Sequence, residues 1–192
     1  MTNSDYQKIV EITKEMTGTW RRSRGIAPDV VADKMDRAMF GWINDLTEAL
    51  SVWIDKGQNM SDGELILAWV NLGSLVECWL RFFYCAYYED YSNNPKVKRN
   101  VALEPDDKDM SFEDLKQYSN GILWGNPQDT LYRWVDKVQK YRNAIHAFHF
   151  RNIGTSSEFI LDIGCYLSFI EEITSSLPPI EDYMRELLSD CQ

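Results

Sequence analysis

The chain is poor in the residues that build turns, metal knuckles and disulfide frameworks. Glycine and proline number only 10 and 6 in 192 residues. That scarcity argues against an all-β fold, whose tight turns draw on both. The four cysteines, Cys78, Cys85, Cys165 and Cys191, form no C-x-x-C pair, and no histidine stands at zinc spacing from them. Neither a zinc site nor a secreted disulfide scaffold is expected, and buried thiols are the expectation instead. Positive charge is in deficit: 20 Lys and Arg face 30 Asp and Glu, for a net charge of −10. A global attraction to nucleic acid or to an anionic membrane is thereby excluded, so a nucleic-acid site has to be a local basic patch. Apolar runs are short, as at Leu65 to Val70, and no membrane span is expected from them. The start, MTNSDYQKIVEITKEM, is too polar for a signal peptide, so the cytoplasm is the expected location. There is no glycine-rich phosphate loop, no nucleophile elbow and no cluster of carboxylates with histidine at metal spacing. No metal or cofactor is expected.

What is present is core material. Apolar residues make up 44% of the chain and aromatic residues 13%, enough for a packed interior. The periodicity predicts helices throughout. A short amphipathic helix is expected at 5–17, followed from Gly18 to Pro28 by a loop carrying Arg21, Arg22 and Arg24, either a solvated arm or a phosphate contact. Val31, Met35, Met39, Trp42, Ile43, Leu46, Leu50, Trp53 and Ile54 recur at helical spacing and predict one helix over 29–56, stopped by Gly57. Ser61 and Glu64 form a capping-box pattern that opens a second helix running to about Tyr91. Being apolar on nearly every side, it is expected to be the most buried. An exposed connection follows at 93–109, rich in acid at Glu104, Asp106, Asp107 and Asp109. A short helix begins at Ser111 with Asp114. A long one starts at Asn126-Pro127 and ends near Arg151 to Gly154. Another spans 157–176 before Pro178-Pro179, and a last short one about 180–189. The expected architecture is all-α, an antiparallel bundle of four to five main helices, with residues 1–28 as an N-terminal helix and basic loop and 29–192 as a single bundle domain.

The distinctive chemistry sits in the segment TLYRWVDKVQKYRNAIHAFHFRNIG at 130–154, which holds both histidines of the chain. Drawn as one helix from Arg133 at zero, Lys137, Lys140 and Arg151 fall within about 40° of it and form a basic stripe. Arg142, His149 and His146 fall at about 180°, 160° and 220°, among the apolar residues Trp134, Val135, Val138 and Ile145. Two readings compete. Arg142 pairs with a core carboxylate and the histidines are satisfied polar residues, or Arg and His converge in a cleft or at a subunit interface. In the second case Arg binds phosphate as a planar fork donor, and imidazole, which titrates near neutral pH, serves as acid and base. That pair suffices for metal-independent RNA cleavage through the internal 2′-OH. Glu77, inside the apolar helix, either pairs with Arg81 four residues on or faces Arg142 across the bundle. Tyr141 beside the Arg reads as core. Tyr84, Tyr87, Tyr88 and Tyr91 read as core or as base-stacking rings.

The stretch YRNAIHAFHFRNIG, late in an all-helical chain, resembles the signature of the HEPN superfamily (higher eukaryotes and prokaryotes nucleotide-binding domains). Those proteins are helical bundles, often dimers, whose motif is Arg, a polar residue and then His after four to six intervening positions. Arg142 and Asn143 match its start. His146 follows Arg142 after three residues and His149 after six. The resemblance spans the architecture of roughly 29–176. It implies a metal-independent endoribonuclease of toxin–antitoxin or other defence type, acting on RNA or nucleotides as a homodimer, with an antitoxin or other protein as partner. Arg142, His146 and His149 would be catalytic and Asn143 and Glu77 supporting. Arg133, Lys137, Lys140 and Arg151 would contact RNA. The rival expectation is a non-catalytic helical interaction module that meets a protein through its acidic surface.

Overall fold

A computed structural model describes residues 3–146 and 148–180. Its elements run α1 (Asn3–Trp20), α2 (Asp29–Arg37), α3 (Phe40–Glu48), α4 (Leu50–Lys56), a 3₁₀ turn (Gly57–Asn59), α5 (Asp62–Ala86) and α6 (Tyr88–Asn93). Then come β1 (Val97–Lys98), β2 (Val101–Ala102), α7 (Phe112–Tyr118), α8 (Thr130–Arg142), a second 3₁₀ turn (Asn143–Ile145) and α9 (Ser156–Ser175). The protein is an all-α helical bundle with one two-residue-per-strand hairpin. The helix expected at 180–189 and Cys191 lie outside the described residues.

The bundle is built around α5. Ser61 and Glu64 cap it reciprocally, the Ser61 side chain accepting from the Glu64 N–H while the Glu64 carboxylate accepts from the Ser61 N–H. With only a narrow polar strip around Glu77 and Arg81, α5 buries Leu65, Ala68, Trp69, Leu72, Leu75, Val76, Trp79 and Leu80, and α2, α3, α7, α8 and α9 all pack on it. Among the described residues α5 alone is long and apolar enough to cross a membrane by length and composition, a point the short run at Leu65 to Val70 does not reveal. Helix α1 packs on α3 and α9, adding Ile9 and Trp20 to the same core.

Several boundaries differ from the periodicity. The helix expected over 29–56 is three helices. Ala38 leaves the helical region at ψ 134°, which turns Phe40 inward against Phe82, rings edge to face at 5.6 Å. Met39 and Trp42, both on the expected apolar stripe, are left 53% and 65% exposed. Helix α5 stops at Ala86 rather than Tyr91, because Tyr87 breaks the ladder and a separate turn, α6, carries Tyr91 back so that its hydroxyl donates to Leu103 O. Helix α8 starts at Thr130. Asp129 caps it by accepting from the Leu131 N–H, while Asn126 instead closes a local turn on the Gln128 N–H. Thr155 and Glu158 form a capping box at the start of α9. Ser111 and Asp114 cap α7 as expected.

The 93–109 connection contains the hairpin, whose two-residue turn places Arg99 and Asn100 at φ 53° and 64°. The connection is anchored by charge. Lys34, buried on α2, donates to Glu104 and Asp106 at 2.7 and 2.6 Å and sits 4.0 Å over the Tyr88 ring. Arg24 of the basic loop pairs with Asp33 and Asp36, which leaves it no free fork for phosphate. The thiols are not uniformly buried: Cys85 is buried, Cys78 half-buried and Cys165 exposed.

Burial pushes the Asp106 carboxyl up, but hydrogen bonds and charge from Lys34, with Arg37, outweigh it and leave the group below the usual carboxylate range. Asp136, held by Lys116 and Lys140, is lowered in the same way. A folded pKa below the unfolded value contributes stability that is complete above the unfolded pKa, about 3.9, and is lost as pH falls through the folded pKa. These two carboxylates are therefore expected to add no pH dependence to the unfolding temperature above about pH 5 and to lower it progressively below about pH 4. Lys34→Met, which deprives Asp106 of its ammonium, should flatten that acid limb in melting curves. An acid limb as steep as wild type would contradict the assignment.

Candidate functional site

Gly73, Glu77 and Arg81 are spaced at four residues on α5 and share one face. The end of α8 crosses α5 at this face. A Cβ on Gly73 would lie 2.8 Å from Arg142 Cβ and 2.9 Å from its Cδ, so the crossing needs glycine. The close approach delivers the Arg142 guanidinium to Glu77, with Nη1 donating to Oε2 at 2.5 Å. The other carboxylate oxygen, Oε1, accepts from Arg81 Nη2 and Nε at 2.8 and 3.3 Å. Arg81 is used up: its Nη1 also donates to Pro105 O and Asp107 O, and its Nη2 to Met110 O. Glu77 therefore makes both pairings that the sequence offered as alternatives.

Arg142 is less committed. Its side chain is 29% exposed, against 15% for Glu77. Its guanidinium carbon lies 5.6 Å from the Phe112 ring centroid on α7. Among the described residues its only hydrogen bond is the one from Nη1 to Glu77. Two guanidiniums on one carboxylate leave one net positive charge at this junction, with free N–H donors on the Arg142 side. Nearby, burial pushes the Cys78 thiol up to about 11, so it is no nucleophile at neutral pH.

The histidines do not lie on the helix. Helix α8 ends at Arg142, and the 3₁₀ turn Asn143–Ile145 follows, with the His146 N–H closing back on Asn143 O. The angular positions drawn for a helix running to 151 therefore do not hold. Both His146 and His149 are exposed on a loop, and no hydrogen bond or ion pair joins either to Arg142. His149 meets the Phe148 ring edge to face at 5.2 Å. It lines a cleft of about 300 Å³ with Phe150, Arg151, Asn152, Ile66 and Asp62. The far end of the loop is pinned where Trp69 Nε1 donates to Ile153 O, just before the cap of α9.

The basic stripe is also reorganised. Lys137 bonds Asp162 at 2.5 Å, a carboxylate that also accepts from Trp134 Nε1 and whose pKa burial raises despite the lysine. Lys140 pairs with Asp136. Arg133 is exposed on α8, whereas Arg151 is exposed on the loop, off the stripe. Asn143 caps α8. Tyr141 packs its ring edge to face on Trp69 at 4.9 Å, as core. Tyr84 and Tyr91 are buried, Tyr87 donates to Ser176 O and Tyr88 to Glu104, so these four rings are not a stacking platform.

No family model, curated protein or solved structure matches the chain. Sequence reasoning overlooked Gly73 and Phe112. A lone glycine inside an apolar helix was the available signal for the first, while nothing in the pattern marks the second.

Gly73→Ala tests the crossing because two effects oppose. Helix propensity alone favours alanine by about 0.5–1 kcal/mol, whereas overpacking against Arg142 costs about 1–3 kcal/mol. Net destabilisation in denaturant unfolding is the expected result. A variant as stable as wild type would mean that α8 does not approach α5 this closely.

Proposed function

We propose that this protein is a HEPN-like endoribonuclease that cleaves RNA without a metal ion. The observation that carries the reading is the Glu77 junction. A half-buried arginine is held at one nitrogen by a carboxylate that a second arginine also occupies, which leaves local positive charge and open donors next to a loop bearing both histidines. In this reading Arg142 binds a non-bridging phosphate oxygen and stabilises the crowded pentacoordinate state. His146 or His149 takes the proton of the 2′-OH as the O2′–P bond forms. The P–O5′ bond breaks and O5′ leaves with the proton that imidazole has taken up, which gives a 2′,3′-cyclic phosphate and a 5′-hydroxyl. Glu77 positions Arg142, and Arg133 and Arg151, both without an ion-pair partner among the described residues, contact the flanking phosphates. The family resemblance adds a homodimer with the sites near its interface, and a toxin or defence role restrained by a protein partner.

The rival reading, a non-catalytic interaction module, draws on the same pair, because Glu77 between two arginines also serves purely to lock α5, α8 and the 105–110 segment together. Cleavage of single-stranded RNA in EDTA separates the two. Arg142→Ala and the substitution of the functional histidine are expected to lower the rate by about 10²-fold or more. Substitution of the other histidine should have a smaller effect, with the folded fraction checked by circular dichroism. Equal rates in wild type, Arg142→Ala, His146→Ala and His149→Ala would eliminate the site.

A further inference from the structure

The two most exposed large apolar side chains among the described residues are Phe148 and Phe150, at 93% and 95%. The next, Leu161 and Trp42, stand at 66% and 65%. Two nearly bare phenyl rings flanking one histidine are costly in water and indicate that something covers them. Charge indicates what. Between Asp136 and Glu158 there is no acidic residue, and this longest acid-free stretch of a chain with net charge −10 holds Lys137, Lys140, Arg142, Arg151 and both histidines. Beside Phe150 the cleft offers the Arg151 guanidinium and the Asn152 amide with His149, and among the described residues Asp62 is the one acidic residue that lines it. Rings beside the Arg151 guanidinium, which has no ion-pair partner among the described residues, and beside an amide donor match an anionic ligand with flat apolar faces, which is single-stranded nucleic acid.

We propose that Phe148 and Phe150 form a base-stacking platform that selects unpaired RNA and splays the two nucleotides flanking the scissile phosphate. This inference rests on the RNA reading and deepens it. In a stacked A-form strand the 2′-OH lies off the line of the P–O5′ bond, so internal attack requires the adjacent bases to unstack. Rings that replace the lost stacking on either side of His149 supply that distortion, and about 1–3 kcal/mol per stacked base is available for it. The platform thereby couples substrate choice to reaction geometry. Paired strands, whose bases are not free to stack on protein, bind only through phosphate contacts.

The test uses the full chain and a fluorescent single-stranded 2′-O-methyl oligonucleotide, which lacks the internal nucleophile, so binding is read apart from cleavage. Phe148→Ala/Phe150→Ala is expected to weaken single-strand binding by about 30-fold or more while leaving duplex binding and the melting temperature unchanged. Phe148→Trp/Phe150→Trp should retain wild-type affinity. Equal single-strand affinity of the wild type and the double-alanine variant overturns the platform, as does absence of binding by the wild type. Loss of self-association in sedimentation with unchanged oligonucleotide affinity also overturns it, because a second copy then covers the rings. Ring-dependent binding together with intact unmodified RNA upholds the platform and refutes the cleavage reading instead.

Discussion

One carboxylate organises this molecule's chemically distinctive end. Glu77 projects from the central helix and is gripped on both oxygens by guanidiniums, Arg81 from the next turn of α5 and Arg142 from the end of α8. A half-buried charge is held most firmly when it is both paired and hydrogen-bonded, and with two guanidiniums on it Glu77 keeps one partner when the other is removed. The pairing reaches outward in both directions. Through Arg81 it fastens the carbonyls of Pro105, Asp107 and Met110, and so the acidic connection, to α5. Through Arg142 it fixes where α8 finishes. Gly73, one turn before Glu77, leaves the space that the Arg142 side chain fills, since a Cβ there would lie 2.8 Å from Arg142 Cβ.

The end of α8 follows from local chemistry as well. After Arg142, Asn143, Ile145, His146, Phe148, His149 and Phe150 are weak helix formers that lose χ1 freedom or compete for the backbone, and only Ala144 and Ala147 among them favour continuation. Trp69 then pulls Ile153 back toward the core, Gly154 turns with φ 68°, and Thr155 opens α9. The histidines are thus held on a loop pinned at both ends by packed elements and exposed between them. Binding and catalytic residues commonly occupy such positions on rigid scaffolds.

Much of the scaffold was legible in the sequence because capping is a local code. The pairs Ser61–Glu64 and Ser111–Asp114 mark helix starts where the side chains themselves make the hydrogen bonds, and the all-round apolar character of α5 marks the core helix. Where tertiary packing decides, the pattern misleads. Within 29–56 the only local signal of a break is Gly41, and the break at Ala38 turns Phe40 onto Phe82. Nothing local other than weak propensity ends α8, so a helical pattern continued to Arg151 assigns a helix face to two histidines that lie on a loop. The Glu77–Arg142 contact was legible as one of two options, since a carboxylate in an apolar helix demands a cation. That it takes two partners depends on the crossing at Gly73, which no spacing rule encodes.

Internal attack by the 2′-OH and attack by an activated water leave different ends on the RNA, so the products report the chemistry directly. Mass spectrometry of fragments from an oligonucleotide of known sequence, digested by the purified protein, is the most direct measurement. The account predicts 2′,3′-cyclic phosphate and 5′-hydroxyl termini, with cleavage abolished when a 2′-deoxynucleotide occupies the 5′ side of the scissile bond. Fragments bearing 5′-phosphates, or undiminished cleavage at the 2′-deoxy position, would contradict it.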